Sequence, residues 1–169
     1  MMKRTFFATI MVLLSLTALA GETMGSLFKV MPDSIIPTLS NTNRLDMIDF
    51  MEAKMKAEVT NTLDGTSQMM ALTDDSLSLR MSDALTIEMF LVDTEEIVDS
   101  ISQVICVIRT YQFLREGVSE STATFYSVRW RQLEQMPKIS VANRRRIEAF
   151  QRSSILKPDD ELATKKTIL

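Results

Sequence analysis

Carboxylates and arginines are the side chains through which this chain could do chemistry, because its 169 residues include no histidine. Without imidazole there is no Ser-His-Asp or Cys-His nucleophile system, no histidine-ligated metal and no side chain that ordinarily titrates near neutrality. The four glycines cannot be arranged as GxGxxG or GxxxxGK[ST], so the glycine-rich phosphate cradles are excluded as well. No cofactor fingerprint remains, and no cofactor is expected.

Three groups of residues are left to weigh. Asp46 and Asp49 stand at i and i+3, which on a helix brings two carboxylates close enough to share a proton or a metal ion. They fall beside an apolar stripe rather than within it, and Asp46 suits the N3 position of a helix capped by Asn43, so structure is the expected role. Asp74 and Asp75 offer oxygen ligands to a hard cation such as calcium, but no spaced D-x-D-x-D-G loop surrounds them. Adjacent aspartates on a strand point apart, and a tight turn is the expected use. Arg144, Arg145 and Arg146 could release counterions from phosphate, yet only Phe150 lies near to stack on a base, and nucleic acid is not expected. The wet face of a helix from Ser140 to Gln151, with Ile147 and Phe150 inward, accounts for them. Attraction to a partner or to anionic headgroups is their functional alternative.

The compartment follows from the first twenty residues. Lys3 and Arg4 precede an almost unbroken apolar stretch from Phe6 to Leu16, and Ala18-Leu19-Ala20 supplies an A-x-A cleavage signature. These parts describe a secretory signal peptide cut after Ala20, too short for a bilayer span of about 20 residues. No transmembrane span is expected after cleavage, and the product belongs in the periplasm or outside the cell. Cys106 is the one cysteine, so no intrachain disulfide can form there. It sits within Val104-Ile105-Cys106-Val107-Ile108, and a buried inert thiol is expected.

Beyond the signal peptide the charge is uneven. Gly21 to Met136 carries 9 basic and 18 acidic side chains, whereas Pro137 to Leu169 carries 8 and 4. A single domain over residues 21–136 followed by a basic tail, partly helical, over 137–169 is therefore expected, the tail able to dock on an acidic surface.

Local patterning predicts the elements that must position these groups. Ser26 to Ile36 reads as one or two short helical turns interrupted by Pro32. Leu45, Ile48, Met51, Met55, Val59 and Leu63 recur at spacings of three and four, predicting a helix from Arg44 to Leu63 that stops at Asp64-Gly65. The period then changes to two. Met69 to Leu72 is a first strand. Leu77 to Met81 and Leu85 to Leu91 form a hairpin whose three-residue loop would set Met81 opposite Leu85, Leu79 opposite Ile87 and Leu77 opposite Met89. On its wet face Arg80 and Glu88 would be diagonal neighbours. Val92 to Ser102 reads as a solvated loop or short helix, Gln103 to Tyr111 as a central strand apolar on both faces, and Ser121 to Leu133 as the last strand, with Tyr126, Val128 and Trp130 on one face. The fold class expected is α+β: an N-terminal helical segment packed on an antiparallel β-meander of about five strands.

Asn43-Arg44-Leu45-Asp46-Met47-Ile48-Asp49-Phe50-Met51, followed by Met55-Lys56-Ala57 and Val59-Thr60-Asn61, resembles the exported Bacteroidetes proteins grouped as domain-of-unknown-function family 3256. Leu72-Thr73-Asp74-Asp75, the Val104 to Thr110 strand, and Phe125-Tyr126 with Trp130 extend the resemblance, which covers about Leu27 to Leu133. The chain departs from it at Tyr111 to Glu120, where Arg115-Glu116-Gly117 stands in place of a Pro-containing loop. The resemblance implies a secreted bacterial origin, no assigned activity and no catalytic residues.

Two function classes follow. One is a non-enzymatic module that binds an envelope component or protein partner, with peripheral association through the basic tail. The other is a carboxylate-dependent hydrolase acting on an envelope polymer, which needs two acids at about 5 to 9.5 Å across a cleft. Export is tested directly by an intact-mass measurement on the protein recovered outside the cytoplasm. Gly21 should be its first residue, and retention of Met1 would contradict the signal peptide.

Overall fold

Backbone hydrogen bonding, in a computed structural model that describes residues 22–113 and 118–153, sorts those residues into three helices and six strands. The predicted signal peptide over 1–20, the Arg115-Glu116-Gly117 segment and the chain beyond Ser153 lie outside the described residues. In chain order the elements are α1 (Met24–Lys29), α2 (Asn41–Glu52), β1 (Ala57–Thr60), β2 (Thr66–Leu72), β3 (Ser76–Ser82), β4 (Leu85–Val98), β5 (Ile101–Phe113), β6 (Val118–Ser127) and α3 (Val141–Ser153). The strands form one antiparallel sheet in the order β1-β2-β3-β4-β5-β6. This is the α+β meander the sequence predicts, with six strands in place of about five.

Each N-terminal helix opens on a capping box. In α1, Thr23 Oγ1 accepts from Ser26 N and Ser26 Oγ accepts from Thr23 N. In α2 the cap is Ser40, and Asn43 is its N3 partner rather than the cap itself. Asp46 therefore does not hold N3. The helix also ends at Glu52, well short of Leu63, because Lys54 takes the left-handed conformation at φ 57° and residues 57–60 pair with β2. Of the predicted apolar stripe, Ile48 is buried, but Leu45, Met55 and Leu63 are exposed; the inward face is Arg44, Met47 and Ile48. Asp64-Gly65 closes the β1–β2 turn instead. There Asn61 Oδ1 accepts from Leu63 N and Gly65 N, and Asp64 has φ 58°.

Register places Leu77 opposite Met89 and Leu79 opposite Ile87, as the alternation requires. A register shift after Arg80 then sets Ser82, not Met81, opposite Leu85 and shortens the loop to Asp83-Ala84. Arg80 and Glu88 are diagonal neighbours as predicted, since Ser78 faces Glu88 and Arg80 faces Thr86, but each bonds elsewhere: Arg80 donates to Gln68 Oε1 on β2 and Glu88 accepts from Ser78 Oγ. The acidic stretch after Leu91 is strand, not loop or helix. Val92 and Thr94 are buried while Asp93 and Glu95 are exposed, a period of two, and β4 runs on to Val98 with Glu96 and Ile97 exposed. Asp99 and Ser100, with φ 52° and 76°, make the tight turn into β5. The last strand stops at Ser127, and Trp130 lies in a turn at φ 61°.

The sheet is covered on both sides. Met24, Leu27, Phe28, Leu39, Met47 and Ile48 pack on one face against Leu79, Ile87, Met89, Ile105 and Val107. Ile139 and Ile147 pack on the other face with Phe90, Val104, Cys106, Ile108 and Phe125. The first cover depends on Arg44, which is 1% exposed. Its Nη1 donates to Leu39 O at 2.9 Å and Asp33 Oδ1 at 2.8 Å, and its Nη2 donates to Met31 O at 2.6 Å. One guanidinium thus satisfies two carbonyls of the 31–39 connection that would otherwise be buried without donors.

Arg44→Ala should cost about 3 kcal/mol, since it strands those carbonyls. Asp33→Asn should cost under about 1 kcal/mol, because that carboxylate is largely solvated. Urea denaturation separates them, and equal costs would contradict the assignment of the backbone bonds as the stabilising part.

Candidate functional site

The residues with chemical potential are dispersed by this fold. Asp46 and Asp49 both lie on the exposed face of α2. Among the described residues no group of three or more Cys, Asp and Glu side chains is placed to hold a metal ion. Asp74 and Asp75 form the β2–β3 turn, and they use their groups to hold other elements. Asp74 O accepts from Met24 N at 2.7 Å, tying α1 to the sheet, and Asp75 O accepts from Leu91 N at 2.8 Å. The Asp75 carboxylate accepts from Thr73 Oγ1 at 2.7 Å and from Arg146 Nη1 at 3.4 Å. The Thr73 hydroxyl does most to hold the Asp75 carboxyl below its ordinary value; partial burial opposes it, and Arg146 adds to the lowering. A carboxylate of depressed pKa stabilises the fold above its unfolded value, and that contribution is lost as pH falls through the folded one.

The three arginines point in different directions, since successive helical residues turn by about 100°. Arg146 stacks its guanidinium over Phe90, with Cζ 4.5 Å from the ring centroid, while it pairs with Asp75. Arg145 faces solvent. Arg144 lines a cleft.

That cleft, of about 510 Å³, opens between β6, the segment 132–136 and α3. Its formation follows the chain after β6. Trp130 turns the backbone, held by Trp130 N to Ser127 O and by Nε1 donating to Leu27 O at 2.9 Å. Residues 131–133 then run back along the outer edge of β6, with Ser127 N donating to Arg131 O and Leu133 N to Phe125 O. The chain leaves the edge, and Glu95 N to Lys138 O, with the Thr94–Ile139 bridge, fastens it beside the end of β4. Ser140 Oγ accepts from Asn143 N as α3 begins. Ala123, Phe125, Leu133, Met136 and Ile147 give the cleft apolar walls; Thr124, Gln132, Glu134, Gln135, Arg144 and Glu148 make it polar elsewhere. Apart from Arg144, none of these carries a functional signal in the sequence. The only local signal was the apolar spacing that placed Ile147 inward, because the cleft joins segments far apart in the chain.

Two further groups are electrostatically perturbed outside it. Burial raises Glu88, against the lowering effect of its Ser78 bond. Cys106 is fully buried, and desolvation pushes its thiol up to about 12. Below that value the thiolate is scarce, so iodoacetamide at pH 8 should leave the folded protein unmodified and label it in urea. Rapid native labelling would show that α3 does not seal this face.

Comparisons with known proteins concern the chain as a whole. A search of curated proteins returned no match. Among solved structures the chain is similar to a domain of an uncharacterized protein from Porphyromonas gingivalis W83, with a TM-score of 0.54 and 25% identity over 70% of this chain and 59% of that one. The chain thus spans less than two thirds of that neighbour's length. The family described as "Protein of unknown function (DUF3256)" matches residues 16–163, nearly the whole chain, and the protein belongs to that family.

Proposed function

We propose that the protein is an exported bacterial module that binds an envelope component or partner protein through the cleft between β6 and α3, without chemical change to what it binds. The cleft carries this reading. It joins five apolar lining residues to six polar ones in a concave volume of about 510 Å³, the size of a small-ligand cleft. Export rests on the leader over residues 1–20. Outside the cleft, Arg145 in solvent adds attraction to anionic headgroups, which salt would screen over about 8–10 Å. Arg146 is committed to Phe90 and Asp75.

Glu134 and Met136 are exposed cleft residues, so changing them leaves the core untouched. Co-sedimentation of the exported protein with isolated envelope should fall roughly tenfold in Glu134→Arg and Met136→Glu, about 1.4 kcal/mol. Undiminished association of both folded variants would contradict the proposal.

One observation favours a second reading. Glu134 and Glu148 line the same cleft, as a carboxylate-dependent hydrolase acting on an envelope polymer would require. Release of reducing ends from envelope polysaccharide, abolished by Glu134→Gln or Glu148→Gln with binding retained, would replace the binder by the enzyme.

A further inference from the structure

Strand β6 is the last of the sheet, and its ten pairs with β5 run without a register shift. Among the described residues its outer side is occupied only in part. Ser127 N and Phe125 O bond outward to Arg131 and Leu133, and among the described residues that ladder ends at Leu133. Alternation along an antiparallel strand then points the backbone N–H and C=O of Ala123, Ser121 and Ser119 outward too. On the opposite side of β5, Gln112 N donates to Ala84 O, which agrees with this phase for its partner Ser119. The other edge of the sheet is defended: β1 has four residues, with the Lys56–Glu58 pair at its start. Over residues 118–124 β6 has neither proline nor lysine, and Glu120 is its single charge.

We infer that β6 receives an extended polypeptide segment as a seventh strand along residues 118–124, its alternate side chains entering the cleft beneath α3. The inference rests on the cleft being the binding site and specifies what enters it. An outward row of alternating donors and acceptors is satisfied by another extended backbone, and residues 131–133 already display that pairing on the same strand. The seven positions span about 23 Å at ~3.3 Å per residue. Ala123 and Phe125 belong to the cleft face, so side chains that follow them meet Leu133, Met136 and Ile147. Glu134 stands exposed at the cleft, which selects a segment with lysine between apolar residues at the alternate positions. At the far end Val118, paired with Phe113, is an exposed apolar contact for the opposite face of the incoming strand.

The test titrates the isotope-labelled full chain with the blocked synthetic peptide Thr-Leu-Thr-Lys-Thr-Leu-Thr, and with the same peptide carrying glutamate for lysine. The lysine peptide should shift the amides of Ser119, Ser121 and Ala123 and slow their hydrogen exchange, and the glutamate peptide should bind roughly tenfold more weakly. Ala123→Pro removes an outward N–H and leaves the β5–β6 ladder whole, so binding should be lost while far-UV circular dichroism is unchanged. Ser119→Pro makes the same test should Ala123→Pro unfold. Equal binding to the folded proline variant overturns strand addition but keeps the cleft as the site. No binding at millimolar peptide also overturns it, and loss of envelope association in Glu134→Arg would then still uphold the broader reading. A dimer abolished by Ala123→Pro would assign the edge to a second copy of this chain and overturn the peptide.

Discussion

Val104, Ile105, Cys106, Val107 and Ile108 leave β5 without a polar face, and the rest of the architecture answers that constraint. Successive strand residues point to opposite sides, so five buried residues in a row demand a cover above the sheet and another below it. Each such side chain contributes roughly 1.5–3 kcal/mol when shielded from water, too much to leave either side bare in a marginally stable domain. Helices α1 and α2 supply one cover and α3 the other. The basic segment that follows the sheet is therefore tied to the core through Ile139 and Ile147. Because α3 crosses the sheet near its β6 border, the cover and the border strand together enclose the cleft.

A few polar bonds between distant parts of the chain fix these covers. The β2–β3 turn holds α1 through Asp74 O and α3 through the Asp75 carboxylate, so one turn anchors both layers. Trp130 spans from the end of β6 to Leu27 O and packs against Tyr126 with ring centroids 5.8 Å apart. A left-handed conformation for a residue of this size costs about 1–2 kcal/mol, which the buried hydrogen bond and the ring contact offset. The same turn sends residues 131–133 back along β6, so the strained residue that locks α1 also shapes one wall of the cleft.

Patterns of period two were legible in the sequence, and helix limits were not. The Leu77–Met89 and Leu79–Ile87 pairs, the two-sided β5 and the buried thiol follow from alternation and from an unbroken apolar run. The stripe from Leu45 to Leu63 has helical spacing yet divides at Lys54, since β1 gains a ladder beside β2 that a longer helix would forgo. Met residues at helical intervals satisfied the pattern without being the buried ones. Arg44 was invisible for the opposite reason: a charged residue becomes a core residue only when carbonyls from another segment surround it. Among the arginines, adjacency in sequence suggested a patch, whereas helical rotation gives each a different neighbour. The cleft itself draws on residues 123–125, 132–136 and 144–148, and no local pattern announces such a meeting.

Residue-resolved hydrogen exchange along β6 tests most directly whether its outer side is open next to the cleft. Amides of Glu120, Thr122 and Thr124, which face β5, should exchange slowly, and those of Ser119, Ser121 and Ala123 quickly, with slow exchange returning at Ser127 where Arg131 accepts. Uniform protection from 119 to 127 would mean that the border is already covered, and the account of β6 as an open strand that receives a partner segment would fail.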